Sequence, residues 1–249
     1  MDVTRVREPW KNERERAKQT VESQGWATSR PQAALSADSA GVEGGSARLG
    51  LDLRRGLDVL GATVLLVVAS PLLAVGAAAV WVVSGRPILF GHRRVGKGGR
   101  PFRCWKLRTM EPGAEERLER DRELKRRYVE NGFKLPHDQD PRVLAGTGWL
   151  RRSHVDELPQ LLNVIRGDMS LVGPRPLVEE ELGLYGEERD LLLSRRPGLA
   201  GAWTARRDRP PYPERARLEL EYVRNGGLGT DVGILVRTAL AVVGRWVGA

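Results

Sequence analysis

The sequence contains little of the chemistry that thiols and imidazoles provide. Its 249 residues include a single cysteine, Cys104, which excludes a disulfide within the chain. The three histidines, His92, His137 and His154, show no spacing recognisable as a zinc site. Redox and zinc chemistry are therefore not expected.

A secretory signal is also lacking, because the first long apolar run begins only near Leu57. Residues 1–50 mix charged residues with Ser, Gly, Gln and Ala and show no sustained apolar period. This composition predicts a disordered N-terminal tail, which we expect the mature protein to keep.

Positive charge is abundant, with 41 Lys and Arg residues against 32 Asp and Glu residues and a net charge of +9. Such a balance favours anionic partners: nucleic acid, anionic lipid headgroups or phosphorylated small molecules. The arginines are spread along the chain without a recognisable nucleic-acid-binding module, so we expect no nucleic-acid partner.

Residues 59–83 are almost entirely apolar, and about 25 such residues are enough for a helix to cross the hydrocarbon core of a bilayer. Ser70-Pro71 lies near the middle of this run. Proline removes a helical hydrogen bond, which predicts a kink or break, and the Ser70 hydroxyl is placed to bond a carbonyl that is left free. Arginines flank the run on both sides: Arg54, Arg55, Arg86, Arg93 and Arg94.

Positively charged flanks favour the cytoplasmic side of a membrane, so this pattern indicates that both ends of the run lie in the cytoplasm. A re-entrant helical hairpin has this topology. A single crossing with a proline kink is the alternative, and the residues alone do not decide between the two.

Three further elements are predicted outside the apolar run. Residues 88–107 predict a β-hairpin, since two short apolar runs flank the turn Gly96-Lys97-Gly98-Gly99. Residues 111–130 carry charges at helical spacing and predict a solvated or headgroup-facing helix. Near the C-terminus, residues 234–247 alternate apolar side chains with arginines, which favours an interfacial helix or a helix that covers the soluble core.

The densest motif is a helix that begins with two carboxylates, Asp156 and Glu157. Its apolar residues recur at positions i, i+3, i+4 and i+7: Leu158, Leu161, Leu162 and Ile165. Pro159 fits only the first turn, so the helix is predicted to begin near Val155 or Asp156 and to end near Gly167.

A helix N-terminus favours an ionised carboxylate and also attracts phosphate. An ionised carboxylate beside a bound phosphate can attack phosphorus and form an acyl phosphate, so Asp156 and Glu157 are candidate catalytic residues. The alternative is that Asp156 only caps the helix and Glu157 only complements its dipole.

Basic and hydroxyl side chains near this motif are candidates for binding phosphate: Lys106, Arg108, Thr109, Arg151 and Arg175. Arg175 lies between Pro174 and Pro176, which restrict the local backbone and favour a guanidinium held ready for a bidentate phosphate contact. A carboxylate pair together with phosphate oxygens suits Mg²⁺.

From about Arg54 to the C-terminus, the sequence resembles the bacterial sugar transferase family of monotopic phosphoglycosyl transferases. Four motifs follow the family pattern in order and spacing: Lys106-Leu107-Arg108-Thr109-Met110, Asp156-Glu157-Leu158-Pro159-Gln160-Leu161, Asn163-Val164-Ile165-Arg166-Gly167-Asp168-Met169-Ser170 and Leu171-Val172-Gly173-Pro174-Arg175-Pro176. Ser70-Pro71 matches the helix-breaking pair of the family's re-entrant membrane helix, so the resemblance favours the re-entrant hairpin.

The resemblance implies a two-step reaction in the first membrane step of surface polysaccharide or glycoconjugate synthesis. Asp156 would attack the β-phosphate of a UDP-sugar and release UMP, and polyprenyl (undecaprenyl) phosphate would then collect the sugar 1-phosphate. Glu157 completes the catalytic dyad, and Mg²⁺ held by Asp156 is the implied cofactor. The implied phosphate-binding residues are the basic ones named above, Lys106, Arg108, Arg151 and Arg175.

The implied fold is α+β and mainly helical, with a β-hairpin and amphipathic interfacial helices on a monotopic membrane protein. We expect a disordered tail over residues 1–50 and a re-entrant membrane helix over residues 51–85, broken at Ser70 and Pro71. Residues 86–249 would form the catalytic domain, with its interfacial C-terminal helix, on the cytoplasmic face of the bacterial cytoplasmic membrane.

Several positions depart from the family pattern: His92, Leu144, Thr147, a shortened stretch at 203–207 and Glu219. The first three are expected to alter packing more than chemistry. Two rival functions stay open. A non-catalytic, membrane-tethered basic domain that binds anionic lipid would not need Asp156, and an ordinary glycosyl transferase would release a nucleoside diphosphate.

Overall fold

The computed structural model describes residues 43–203, 206, 210–212 and 214–247. The chain is mainly helical with two small sheets, which agrees with the α+β prediction. The first helix begins at Glu43, inside the stretch predicted as a tail, and residues 1–42 lie outside the described residues.

The helices are α1 (Glu43–Ser84), α2 (Ala114–Arg120), α3 (Arg122–Glu130), α4 (Gly148–Ser153), α5 (Gln160–Arg166), α6 (Arg189–Leu193), α7 (Glu214–Asn225) and α8 (Leu228–Val247). The strands are β1 (Leu89–Val95), β2 (Pro101–Leu107), β3 (Ser170–Val172) and β4 (Gly198–Ala200). Short 3-10 segments lie at Lys97–Gly99, Val155–Glu157 and Glu179–Glu188.

The predicted β-hairpin is confirmed. Strands β1 and β2 pair antiparallel, with Leu89 opposite Leu107 and Val95 opposite Pro101. Gly98 in the turn has a φ of 66°, a conformation that glycine adopts without steric cost. The hairpin therefore positions Lys106, near the end of β2, where its side chain reaches Glu157.

The charged segment after the hairpin forms two helices instead of one. Asp121 ends α2 with an extended backbone and then caps α3, because its side chain accepts a hydrogen bond from the Leu124 N–H at 3.0 Å. An aspartate at this position competes with continued helix by satisfying the next helix's free donors. Charge spacing alone did not reveal this break.

A second sheet, which the sequence did not predict, joins β3 and β4 in parallel. Gly173 and Gly198 meet there so closely that a Cβ built on Gly198 would lie 2.0 Å from the Gly173 nitrogen. Reciprocal backbone hydrogen bonds run from Gly173 N to Ala200 O (2.9 Å) and from Gly198 N to Pro174 O (2.8 Å). This contact places the segment that carries Arg175.

Among the described residues, the one helix long and apolar enough to cross a membrane runs over Leu53–Ser84, within α1. Helical structure continues through Pro71, and the Ser70 hydroxyl donates to the Val67 carbonyl at 2.8 Å. That carbonyl is four residues before Pro71, so it is the one that the missing proline N–H leaves free. The expected role of Ser70 is confirmed, whereas the re-entrant course of the helix stays a prediction.

Both halves of α1 pack on the rest of the protein. In the first half, Asp58 accepts from the Ser170 hydroxyl (2.7 Å) and the Leu171 N–H (2.9 Å) at β3. In the second half, Val80 is fully buried in a cluster with Leu107, Leu150 and Val155. The opposite side of α1 exposes apolar side chains: Leu57, Leu60, Val64, Val67, Val68, Val75 and Val82.

Gly76 allows the second half of α1 to approach the core, because a Cβ there would lie 2.9 Å from Leu107 and 3.1 Å from Val155. We predict that Gly76→Val lowers the free energy of unfolding by about 1–3 kcal/mol through overpacking. Gly56→Val is the matched control, since a Cβ at Gly56 meets no atom within 4 Å. Thermal unfolding of the detergent-solubilised protein measures both, and equal stability of the two variants would contradict this packing.

Candidate active site

The two carboxylates lie where the motif predicts, at the start of a helical segment. A 3-10 turn over Val155–Glu157 continues through Leu158 and Pro159 in helical conformation into α5. Gly167 ends α5 with a φ of 96°, so the predicted limits of the helix are confirmed. Asp156 is only 6% exposed, which takes its carboxylate largely out of water.

Lys106 makes the closest polar contact of the dyad. Its ammonium donates to Glu157 Oε1 at 2.6 Å, although 51 residues separate the two in sequence. Burial tends to raise the pKa of Glu157, but the charges of Lys106, Lys134 and His154 outweigh it and hold that pKa below its ordinary value. Glu157 is therefore ionised at neutral pH.

The pKa of Asp156, in contrast, is raised above its ordinary value. Burial, and then the neighbouring Glu157 charge, raise its pKa from 3.8 to about 6, against the lowering effects of Lys106, Arg151 and Lys134. Two adjacent carboxylates thus differ in proton affinity, because the ammonium bonds to one of them. At pH 7 Asp156 is mostly ionised and is more basic than an ordinary aspartate, which suits a nucleophile.

Asn163 on α5 fixes the distance between the dyad and Lys106. The side chain is fully buried; its Oδ1 accepts from the Trp105 N–H (3.0 Å) and its Nδ2 donates to the Arg103 carbonyl (2.8 Å). The amide therefore joins β2 to the helix that follows the dyad. Asn163 belongs to a motif quoted above, yet nothing in the sequence indicated this role.

The other predicted phosphate ligands lie around the same cavity but have different contacts. Arg151 donates to the Thr109 hydroxyl at 3.3 Å, so these two predicted residues meet. Arg108 is buried and donates to the Ser84 hydroxyl (2.9 Å) and carbonyl (3.1 Å) at the end of α1. The structure thus places Arg108 as a tie between the membrane helix and the site, and its contact with phosphate stays a prediction.

Arg175 is held through its backbone. Glu219 on α7 accepts from the Arg175 N–H (3.1 Å) and from the Trp203 indole N–H (2.7 Å), and Tyr185 also donates to it. Burial raises the pKa of Glu219, against the lowering effect of these donors. The Arg175 Nε is buried and has no hydrogen-bond partner within the described part of the chain, so a donor is available to a ligand.

These groups surround one cavity of about 1090 Å³, large enough for a nucleotide-sugar. Asp156 and Glu157 line it. Its basic lining residues are Arg94, Lys106, Arg108, Lys134, Arg142, Arg151, Arg152 and Arg175. Lys134 was missed by the sequence reasoning, because it lies in a loop without a motif.

The sequence matches the bacterial sugar transferase family over residues 50–245. The chain belongs to this family. The resemblance drawn from the motifs is confirmed, and the match includes the membrane helix, the hairpin, the dyad and the Arg175 segment.

Curated relatives carry matching names. Undecaprenyl-phosphate galactose phosphotransferase of Salmonella typhimurium is 38% identical over 200 residues, which are 78% of this chain and 41% of that protein. Exopolysaccharide production protein ExoY of Rhizobium meliloti is 41% identical over 191 residues, which are 76% of this chain and 84% of that protein. UDP-galactose-lipid carrier transferase of Erwinia amylovora is 38% identical over 197 residues, 78% of this chain and 41% of that protein.

Of the positions that depart from the family pattern, His92 lines the cavity and Thr147 bonds to a residue that does. His92 on β1 contacts Glu115 Oε1 through its Nε2 at 2.8 Å, which ties the hairpin to α2. The hydroxyl of Thr147, which is fully buried, donates to the carbonyls of Thr109 (3.2 Å) and Leu144 (2.8 Å). These are packing contacts, as expected. Of the shortened stretch 203–207, residues 204, 205 and 207 lie outside the described residues.

Removing the Asn163 amide tests its role as a clamp. Asn163→Ala leaves the partly buried Trp105 N–H and Arg103 carbonyl without their amide partner and empties a fully buried position, so we predict a loss of about 1–3 kcal/mol in the free energy of unfolding. Asn225→Ala, at the exposed end of α7, should change it by less than about 0.5 kcal/mol. Chemical denaturation in detergent measures both variants, and a neutral Asn163→Ala would contradict the clamp.

Proposed function

We propose that this protein transfers a sugar 1-phosphate from a UDP-sugar to polyprenyl phosphate through a covalent phosphosugar on Asp156. The observation that carries this proposal is the arrangement of the dyad. A buried aspartate of raised pKa lies beside a glutamate that is bonded to Lys106, in a cavity lined by cations. A domain that only binds anionic lipid has no need for a carboxylate at the centre of its basic cavity.

In the first step, an Asp156 carboxylate oxygen attacks the β-phosphorus of the UDP-sugar. The new bond joins that oxygen to phosphorus, and the bond from the β-phosphorus to the bridging oxygen breaks. UMP leaves with the electron pair, and the sugar phosphate stays on Asp156 as an acyl phosphate. Arg175 and Arg151, which line the same cavity as Asp156, stabilise the phosphate charge as it develops.

In the second step, a phosphate oxygen of the polyprenyl phosphate dianion attacks the same phosphorus. The bond between phosphorus and the Asp156 oxygen breaks, and the carboxylate is regenerated. The product is a polyprenyl diphosphate sugar. The names of the relatives, which include undecaprenyl-phosphate phosphotransferase and exopolysaccharide production protein, support this acceptor and a place at the start of surface polysaccharide synthesis.

We further propose Mg²⁺ as cofactor, held by Asp156 together with substrate phosphate. No group of three or more His, Cys, Asp or Glu residues that could hold a metal is present among the described residues. The Asp156 carboxylate together with substrate phosphate oxygens is a donor set that fits Mg²⁺, because this ion keeps several waters and commonly uses one or two carboxylates plus substrate phosphates. The bound ion would neutralise phosphate charge.

The contacts of α1 support a re-entrant topology, and the arginines that flank its apolar stretch favour the cytoplasmic face. At the start of its apolar stretch, Arg54 pairs with Asp231 at 3.1 Å, and at its end Ser84 accepts from Arg108. A straight helix over the 32 residues of Leu53–Ser84 would span about 48 Å, enough to cross a bilayer, yet one charged domain contacts both of its ends. Both ends therefore belong on the side of the membrane where the domain lies.

The exposed apolar face of α8 supports an interfacial position for the C-terminal helix. Leu228, Val232, Val236 and Leu240 recur at helical spacing and are exposed, whereas Ile234 on the opposite side is buried in the core. Both predicted roles of this helix, covering the core and facing the interface, are thus compatible with one orientation.

The Asp156→Asn variant tests the nucleophile. We predict that the wild type releases UMP from a panel of UDP-sugars that begins with UDP-galactose, and that Asp156→Asn lowers this rate at least 1000-fold, roughly the effect of losing a nucleophile. Asp138→Asn removes the same charge at an exposed position and should leave the rate unchanged. UDP in place of UMP would support an ordinary glycosyl transferase, and full activity of Asp156→Asn would contradict the proposal.

The raised pKa of Asp156 sets the pH dependence. Because only the ionised form attacks, kcat/KM for the UDP-sugar should fall about tenfold per pH unit below a midpoint near 6. Lys106 lowers the pKa of Asp156, so Lys106→Met should move the midpoint to higher pH. A downward shift of the midpoint in Lys106→Met would show that another group controls the rate.

A further inference from the structure

One wall of the cavity is apolar and belongs to the membrane helix and the chain just after it. Leu72 and Val75 follow Pro71 on α1, Pro87 lies between α1 and β1, and Phe90 is the second residue of β1. All four line the same cavity as the dyad. Val75 is 59% exposed and Phe90 is 39% exposed, so this apolar lip faces outward as well as inward.

The lip is continuous with the exposed apolar side of α1. Val68, seven residues before Val75 and therefore on the same side of the helix, is 73% exposed and does not line the cavity. A membrane lipid that contacts this side of the helix reaches the cavity by passing Val75 and Leu72. The cavity thus opens next to the surface that the bilayer covers.

The same cavity also has a charged lining, which adjoins the lip where Lys106 pairs with Phe90 across the hairpin. Lys106, Arg151 and Arg175 lie there with the dyad, and the Arg175 Nε is a buried donor without a partner in the described part of the chain. One cavity therefore joins a phosphate-binding wall to an apolar lip. A nucleotide-sugar is polar throughout and gains little from the lip, whereas a phosphate attached to a hydrocarbon chain matches both surfaces.

We propose that Leu72, Val75, Pro87 and Phe90 form the exit for the first isoprene units of the polyprenyl phosphate acceptor, with its phosphate at the dyad and its chain continuing into the bilayer. This inference rests on the proposed function. It assigns the lip to the second half-reaction alone, because the UDP-sugar reacts before the acceptor binds.

Substitution of the lip tests this assignment. In wild-type protein, UMP released in a single turnover without acceptor reports the first half-reaction, and the steady-state KM for polyprenyl phosphate reports the second. We expect Val75→Asn and Phe90→Asn each to raise the acceptor KM about tenfold, because each removes apolar contact with the chain. The single-turnover UMP release and the KM for the UDP-sugar should stay within twofold of the wild type.

Val68→Asn is the matched control, since it makes the same substitution on the same side of α1 outside the cavity. It should leave the acceptor KM unchanged. An equal rise in Val68→Asn would assign the effect to general membrane contact and overturn the proposal. A loss of single-turnover UMP release in the lip variants, with Val68→Asn intact, would assign the lip to the donor and also overturn it.

The experiment distinguishes a wrong assignment of the lip from a wrong proposed function. If the wild type forms no polyprenyl diphosphate sugar and releases no UMP, the proposed function itself is wrong. If the wild type is active and both lip variants keep the wild-type acceptor KM, the function stands and the chain of the acceptor leaves by another route.

Discussion

Two adjacent carboxylates, Asp156 buried and Glu157 partly buried, lie at the start of one helical segment, and the Lys106 ammonium makes this arrangement stable and chemically asymmetric. Without a cation, like charges this close raise each other's pKa, and burial raises both further. The 2.6 Å contact with Glu157 fixes one charge and leaves Asp156 as the more basic carboxylate. The hairpin, the Asn163 clamp and the packing of α1 all serve to hold that ammonium in place.

The long apolar helix α1 is part of this arrangement. Its second half packs on Leu107, which follows Lys106, and on Val155, which precedes Asp156, and its end is bonded to Arg108. A shift of α1 would therefore displace both Lys106 and Asp156 through their sequence neighbours Leu107 and Val155. The same half-helix supplies Val75 to the cavity, so the exposed apolar side of α1 borders the cavity that contains Asp156.

The sequence predicted those helices and strands whose limits are set by nearby proline and glycine residues. Pro159 and Gly167 located the dyad helix, and a glycine turn located the hairpin. The contacts between elements were not predictable, because Asn163 bonds to β2 and Glu219 bonds to the Arg175 backbone over 44–60 residues of sequence. A buried amide or carboxylate has no periodic signature, and the parallel pairing of β3 with β4 depends on a glycine contact that spacing alone does not reveal.

The most direct test of the account is mass spectrometry of protein mixed with a UDP-sugar in the absence of acceptor and quenched with acid. If Asp156 is the nucleophile, the protein gains the mass of one sugar phosphate, located on the peptide that contains Asp156. Polyprenyl phosphate added before the quench should remove it. Transfer to the lipid without any adduct, or an adduct on a different residue, would contradict Asp156 as the nucleophile.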